Sequence, residues 1–190
     1  MKPNWSAKAK WGLFRLKQGW CAAAWTPHGL SALILPHKNR VAAFRKLHEY
    51  LPPMPESFWT QPAAAVPAEI QKQTRLALNK KPFHLSKFDI GFLTTFQERI
   101  LRATCEIPWG QARSYGWVAR RAGAPKGFRA AGQALNRNPI PIFIPCHRVI
   151  ASGSLLGGYG GGIEWKIRLL KSEGVGVIRG LEGSYRVVNL

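Results

Sequence analysis

Hydrophobic and polar positions alternate in three short runs near the start of the chain: Gly12 to Lys17, Trp20 to Trp25 and Gly29 to Leu35. Each run has strand length, and Gln18-Gly19 and Pro27-His28-Gly29 separate them with hairpin signals, so the pattern predicts a small antiparallel sheet. The period then lengthens. Val41, Phe44, His48 and Leu51 recur at three- and four-residue spacing, which predicts one face of an amphipathic helix of about 12 residues laid over that sheet. Five prolines and Ala63-Ala64-Ala65 between Leu51 and Pro67 predict an irregular surface linker. A second helix is expected from Ala68 to about Leu78, and Phe83 to Asp89 reads as extended.

A second domain is expected over residues 86–190, after an α/β domain at 1–85. Phe92, Phe96 and Ile100 mark its first helix, which runs to about Thr104, and Pro108-Trp109-Gly110 forces a turn. Ser114 is a plausible N-cap for a helix from Tyr115 to Ala122. A break at Gly123-Ala124-Pro125 precedes a further helix from Lys126 to about Asn136. Two short helices joined by a glycine-containing turn, spanning about 115–136, outline a helix-turn-helix. Phe128, Ala131, Gly132 and Leu135 fall on one face of the second helix, the inward one; Arg129 and Gln133 fall on another. Ile140, Ile142 and Ile144 alternate with Pro141 and Phe143 as in a short buried strand, which three prolines exclude from the centre of a sheet. That segment ends on Cys146 and His147. The glycine-rich run Gly157 to Gly162 surrounds a single aromatic, Tyr159. Ile163, Ile167 and Leu170 then predict a helix stopped by Gly174, and Gly176 to Leu190 suits a hairpin around Glu182-Gly183.

Charge changes the picture. The 190 residues hold 28 lysines and arginines against 9 acidic groups, a net charge of +19 that points to a polyanionic partner, nucleic acid before an acidic membrane surface. Ala130, Ala131, Gly132 and Ala134 make a helix with few bulky side chains, and beside Arg120, Arg121, Lys126, Arg129 and Arg137 it offers a surface able to lie close to phosphates. No apolar run reaches the roughly 18 residues needed to span a bilayer. The lysines at the start are followed by an apolar run that Arg15 and Lys17 interrupt, which argues against a secretory signal. Cys21, Cys105 and Cys146 are odd in number and lack ligand spacing, so neither a disulfide framework nor a metal site is expected, and Cys21 reads as a core thiol. An intracellular compartment, cytoplasm or nucleoid or nucleus, fits these features.

The chemistry concentrates at Cys146. A free thiol with a pKa of about 8.5 is only slightly ionised at neutral pH and needs a base to become a nucleophile. His147 is adjacent, but neighbouring side chains on a strand point to opposite faces, so contact requires a turn after Pro145 or a bridging water. The base needs an orienting carboxylate, for which Glu164, Glu173 and Glu182 are available downstream. Glu173, in the last turn of a helix where the dipole disfavours an anion, calls for a partner or for solvent. A non-catalytic DNA-binding protein and a cysteine hydrolase remain alternatives at this point.

Pro145-Cys-His-Arg-Val149, preceded by Asn138-Pro139 and Arg129-Ala-Ala-Gly132 and followed by Gly157-Gly-Tyr-Gly-Gly161 and Glu173-Gly174, resembles the 6-O-alkylguanine-DNA alkyltransferases. The resemblance runs without gaps from about Ser114 to Gly174, whereas residues 1 to 85 share only their strand-strand-strand-helix order. It implies a ribonuclease-H-like roll followed by a mainly helical, winged-helix-like domain. It also implies single-turnover DNA repair, in which an alkyl group moves from guanine oxygen-6, with thymine oxygen-4 as a second candidate donor, to Cys146, without cofactor or metal. The implied roles are Cys146 as acceptor, His147 as water-linked base, Glu173 as its orienting carboxylate and Asn138 as a brace. Tyr115, Val149, Tyr159 and Gly160 would bind the flipped guanine; Arg129, Ala130, Ala131 and Gly132 would meet the DNA, with Arg129 replacing the extruded nucleotide. The partner would be duplex DNA, approached by a monomer through the minor groove. Where some relatives carry serine this chain has Gly160, which implies a more mobile loop.

Overall fold

The computed structural model describes residues 8–79, 87–180 and 183–188. Residues 83–86 of the expected extended segment, and Glu182, lie outside them. Contacts divide the chain into one unit of Met1–Leu93 with Pro139–Phe143 and another of Thr94–Asn138 with Ile144–Leu190. The division falls at 93/94 where the sequence suggested 85/86, and five residues next to Cys146 group with the first unit.

The first unit is built on β1 (Lys10–Leu16), β2 (Gly19–Thr26) and β3 (Gly29–His37), an antiparallel sheet in that order. Gly19 has φ +140°, and a Cβ there would stand 2.5 Å from the His37 carbonyl oxygen, so the hairpin requires glycine. Ala22, Ala23 and Ala24 are fully buried. Helix α1 (Arg40–Tyr50) covers the sheet with Ala43 and Leu47, which are fully buried against it. This face is rotated from the one that spacing suggested: Val41 is 58% exposed, and His48 is exposed as well. An apolar side chain in the first turn, beyond the edge of the packed face, has nothing to cover it.

The supposed linker is structured. It contains α2 (Glu56–Thr60), whose Phe58 is buried, and its backbone follows β1. Trp11 Nε1 donates to the Phe58 carbonyl at 2.9 Å, and the Ala64 N–H donates to the Trp11 carbonyl at 2.9 Å. Trp11, Phe44 and Trp59 meet with ring centroids 4.9 to 6.2 Å apart, so part of the tryptophan content of this half is core. Most of the segment stays at the surface, as expected, and Phe58 and Val66 are the side chains it buries. Trp11→Phe, which deletes one buried donor and leaves the Phe58 carbonyl unpaired, should lower stability by about 1 to 2 kcal/mol in urea unfolding; an unchanged midpoint would show that the bond contributes nothing.

Helix α3 (Ala68–Leu78) follows as expected. Residues 139–143 form a turn, not the expected strand: Pro139 and Pro141 have no N–H to offer a ladder, and Ile142 has φ +75°. Ile140, Ile142 and Phe143 are all buried, so the alternation in sequence does not become an alternation of faces. The Leu33 N–H donates to the Pro139 carbonyl at 2.8 Å. A β-branched residue at positive φ costs on the order of 1–3 kcal/mol, and burial of the Ile142 side chain is of a size to offset it.

The second unit opens with α4 (Thr95–Cys105), started by a reciprocal cap between Thr94 and Gln97, later than Phe92. Strand β4 (Arg113–Ser114) leads into α5 (Tyr115–Arg121), where the Ser114 hydroxyl accepts from the Trp117 N–H at 3.1 Å. After a turn at 122–127 comes α6 (Phe128–Asn136), completing a helix-turn-helix. Ala131, Ala134 and Leu135 form its buried face, whereas Phe128 is 51% exposed, contrary to its place in the periodicity. Strand β5 (Val149–Ile150) pairs in parallel with β4. Helix α7 (Ile163–Ser172) and the hairpin of β6 (Gly176–Arg179) and β7 (Tyr185–Val188) close a small core around Ile150, Leu156, Leu170 and Val187. The architecture is mixed α/β, with the larger antiparallel sheet in the first unit and the helix-turn-helix in the second. Among the described residues, no helix is long and apolar enough to cross a membrane.

Candidate active site

Pro145 ends the buried turn, and Cys146–Arg148 coil into one turn of 3-10 helix, with the Arg148 N–H donating to the Pro145 carbonyl at 2.9 Å. Side chains in such a turn diverge by about 120°. Three consecutive residues therefore reach different partners, which an extended strand would not permit. Cys146 Sγ accepts from Asn138 Nδ2 at 2.9 Å, and the same amide donates to the Ile144 carbonyl at 2.9 Å. Asn138 follows the C-cap of α6, so the end of the second helix is tied directly to the thiol.

His147 and Arg148 both turn to Glu173, the C-cap of α7. His147 Nε2 lies 2.7 Å from Glu173 Oε1; Arg148 donates to Oε2 from Nε at 2.7 Å and to Oε1 from Nη2 at 2.9 Å. Arg148 Nη1 also donates to the Ile107 carbonyl at 2.7 Å. All three side chains are buried. Of the three carboxylates considered, Glu173 therefore occupies the orienting position, while Glu164 is exposed. Burial works to raise the Glu173 pKa, but the bonds from His147 and Arg148 prevail and hold it below the usual range. Burial pushes His147 below its ordinary value against the pull of Glu173, so the imidazole is neutral. An ionised carboxylate only accepts, so the ring proton sits on Nε2 and the lone pair on Nδ1. Nδ1 is buried and has no hydrogen-bond partner among the described residues. The imidazole is thus held in one orientation by Glu173, with the lone pair on the other nitrogen.

Arg148 escaped the sequence reading because a cation beside Cys-His reads as one more DNA contact on a basic chain. Lys166 escaped it too, although a signal was present. Ile163, Ile167 and Leu170 leave the i+3 slot of the same face, and Lys166 fills it. The lysine is fully buried, and Nζ donates to the carbonyls of Val149 at 2.6 Å, Leu156 at 2.5 Å and Gly158 at 3.3 Å. Burial lowers its pKa to about 8, with Cys146 acting in the opposite direction. Burial raises the pKa of Cys146, while the Asn138 bond, the Lys166 charge and Tyr159 act to lower it. The thiol is thus kept neutral in a setting prepared to receive a thiolate.

Cys146 opens on a cavity of about 390 Å³ lined also by Tyr115, Arg129, Gly132, Tyr159 and Gly160, a size that suits a small planar ligand. The Tyr115 hydroxyl donates to the Gly158 carbonyl at 3.4 Å, and its ring lies against Gly132, where a Cβ would come within 3.7 Å. Two expected contacts need correction. Ala131 is fully buried on the inner face of α6, so it cannot touch DNA; Arg129 and Ala130 are exposed. Val149 is also fully buried and does not line the cavity, and its carbonyl already holds Lys166, leaving one lone pair for anything else.

Residues 95–175 match the family described as 6-O-methylguanine DNA methyltransferase, DNA binding domain. The methylated-DNA--protein-cysteine methyltransferase of Methanosarcina mazei is 48% identical over 92 residues, 47% of this chain and 58% of its own length. The protein of that name from Mycobacterium leprae is 51% identical over 80 residues, 42% and 48% of the two chains. In sequence, the chain spans about half the length of these relatives. The crystal structure of Mycobacterium tuberculosis O6-methylguanine methyltransferase superposes with a TM-score of 0.66 at 31% identity, covering 87% of this chain and 92% of that one. The M. tuberculosis protein solved in complex with DNA gives 0.67 at 30% identity, covering 87% and 93%. The chain belongs to the O6-methylguanine-DNA methyltransferase family.

Proposed function

We propose that the protein repairs alkylated DNA by moving the alkyl group of O6-alkylguanine onto Cys146, once per molecule. The observation that carries this reading is a single buried thiol at a cavity wall, bonded to Asn138, with the oriented His147–Glu173 pair beside it. The thiol proton passes to His147 Nδ1, through a water where the two do not touch. The Cys146 thiolate attacks the alkyl carbon in line, an S–C bond forms, and the C–O bond breaks with its electron pair going to guanine oxygen-6. Proton return to the purine completes the leaving group, and the stable thioether ends the protein's activity. No metal or organic cofactor enters the balance. Tyr115, Tyr159 and Gly160 wall the guanine. Glu173 is a positioning residue, not a reacting one.

A base must leave the duplex to reach such a pocket, at a cost of a few kcal/mol that a mispairing lesion reduces. Ala130, small and exposed beside Arg129, supports approach through the minor groove, with Arg129 at the cavity filling the space that the nucleotide vacates. The net charge of +19 supports sequence-independent attraction to phosphates. Incubation with methylated duplex DNA followed by intact-mass measurement tests the proposal. A stoichiometric gain of about 14 Da, confined to the peptide bearing Cys146, is the expected result. Binding without mass gain would make the protein a lesion marker, and repeated turnover would make it a hydrolase.

A further inference from the structure

We propose that Phe128 is a stacking wedge for duplex DNA, its ring entering the base stack beside the nucleotide that Arg129 replaces. This rests on the reading of the protein as a DNA alkyltransferase and adds a residue to its recognition of the duplex. By periodicity Phe128 belongs on the inward face of α6, yet that face is completed by Ala131, Ala134 and Leu135, and Phe128 is 51% exposed. A lone exposed apolar residue is ordinary on a protein surface. This one has a particular position. It is the first residue of the second helix of the helix-turn-helix, beside Arg129 and Ala130, which are also exposed. Its ring lies 5.8 Å from the Arg129 guanidinium, and Arg129 lines the cavity that holds Cys146.

An aromatic ring and a guanidinium side by side at a cavity mouth are the two groups that stack on bases without reading their sequence. A nucleotide turned out of the duplex leaves two base faces bare. Arg129 can fill one gap, but a guanidinium covers less area than a base. Phe128, projecting from a helix whose other exposed residues at this end are short or cationic, supplies the apolar surface that remains. Insertion of such a side chain at the minor groove also opens the step, which favours extrusion of the target.

The test compares wild type, Phe128→Ala and Phe128→Trp on a duplex carrying 2-aminopurine opposite thymine, and on free O6-benzylguanine. The alanine variant is expected to bind the duplex about ten-fold more weakly, the scale of one lost base–aromatic stack, and to give a smaller rise in 2-aminopurine fluorescence. Its rate with the free base should stay within about two-fold of wild type, and tryptophan should restore both duplex signals. Unchanged affinity and fluorescence in Phe128→Ala, or an equal loss on the free base, would overturn the wedge. Neither duplex signal requires transfer. Wild-type protein that binds and flips 2-aminopurine without gaining alkyl mass would refute the transfer reading while the variant series still decides the wedge.

Discussion

Glu173→Gln is expected to slow single-turnover alkyl transfer by about 100-fold, within the range that a positioned base contributes, while affinity for undamaged duplex changes by a few-fold at most. The carboxylate receives His147 and both arms of Arg148, so its loss frees the imidazole to rotate and removes the electrostatic reason for Nδ1 to carry the lone pair. It also leaves the Arg148 charge without its carboxylate, facing a neutral amide and the Ile107 carbonyl, and breaking a buried pair from one side costs roughly 3–5 kcal/mol. Chemical unfolding checks the stability half, and quenched-flow transfer the catalytic half. The pH dependence gives an independent reading. Because the folded pKa of Glu173 is depressed, its stabilisation is complete above the unfolded value of about 4.3 and is lost as pH falls through the lower folded value. The variant should lack that part of the acid limb. Transfer within a factor of about three of wild type would exclude a role for Glu173 in orienting the base.

Lys166→Met should cut transfer more than ten-fold while leaving stability at neutral pH nearly unchanged, because two large terms oppose each other. Holding an ammonium in the core at a pKa of about 8, against an ordinary 10.5, costs roughly 3 kcal/mol, which methionine removes. The carbonyls of Val149 and Leu156 then lose their donor, at about 1–3 kcal/mol each. Function has no such compensation. The lysine ties the loop before the cavity to β5 and places a positive charge near Cys146, so its loss loosens the wall and weakens support for a thiolate. Wild-type stability should rise between pH 8 and about 10.5, as the unfolded chain keeps a proton that the folded chain has released; this rise should be absent in the variant. Identical slopes in the two proteins would show that Lys166 does not titrate in that window.

Legibility differed between the two units for a physical reason. Strand alternation and hairpin glycines are local, and β1 to β3 appear within two residues of where the pattern places them. The segment from Leu51 to Pro67 was illegible, since its order comes from Trp11 and β1 rather than from any repeat of its own. Phe128 and Val41 show the limit of periodicity at helix ends, where a position on the correct face can extend past the surface it would pack against. In the candidate active site, the motif around Cys146 pointed to the thiol, the adjacent imidazole and the glycine loop. It could not identify Arg148 or Lys166, because buried and solvated cations look alike in a chain with 28 of them.

The sequence by itself determined the antiparallel sheet, the helix-turn-helix, the excess of positive charge and the presence of a thiol, an imidazole and several carboxylates within one stretch. All of these follow from short-range stereochemistry or from composition. Only the tertiary structure decided which carboxylate meets His147, that the strand expected before Cys146 is a turn, and that Arg148 and Lys166 lie in the core rather than on the surface. Those outcomes depend on groups 17 to 41 residues apart meeting at hydrogen-bond distance, as Lys166 meets Val149 and Arg148 meets Ile107. No local pattern encodes such meetings, because the desolvation that makes them necessary arises only when the chain closes around them.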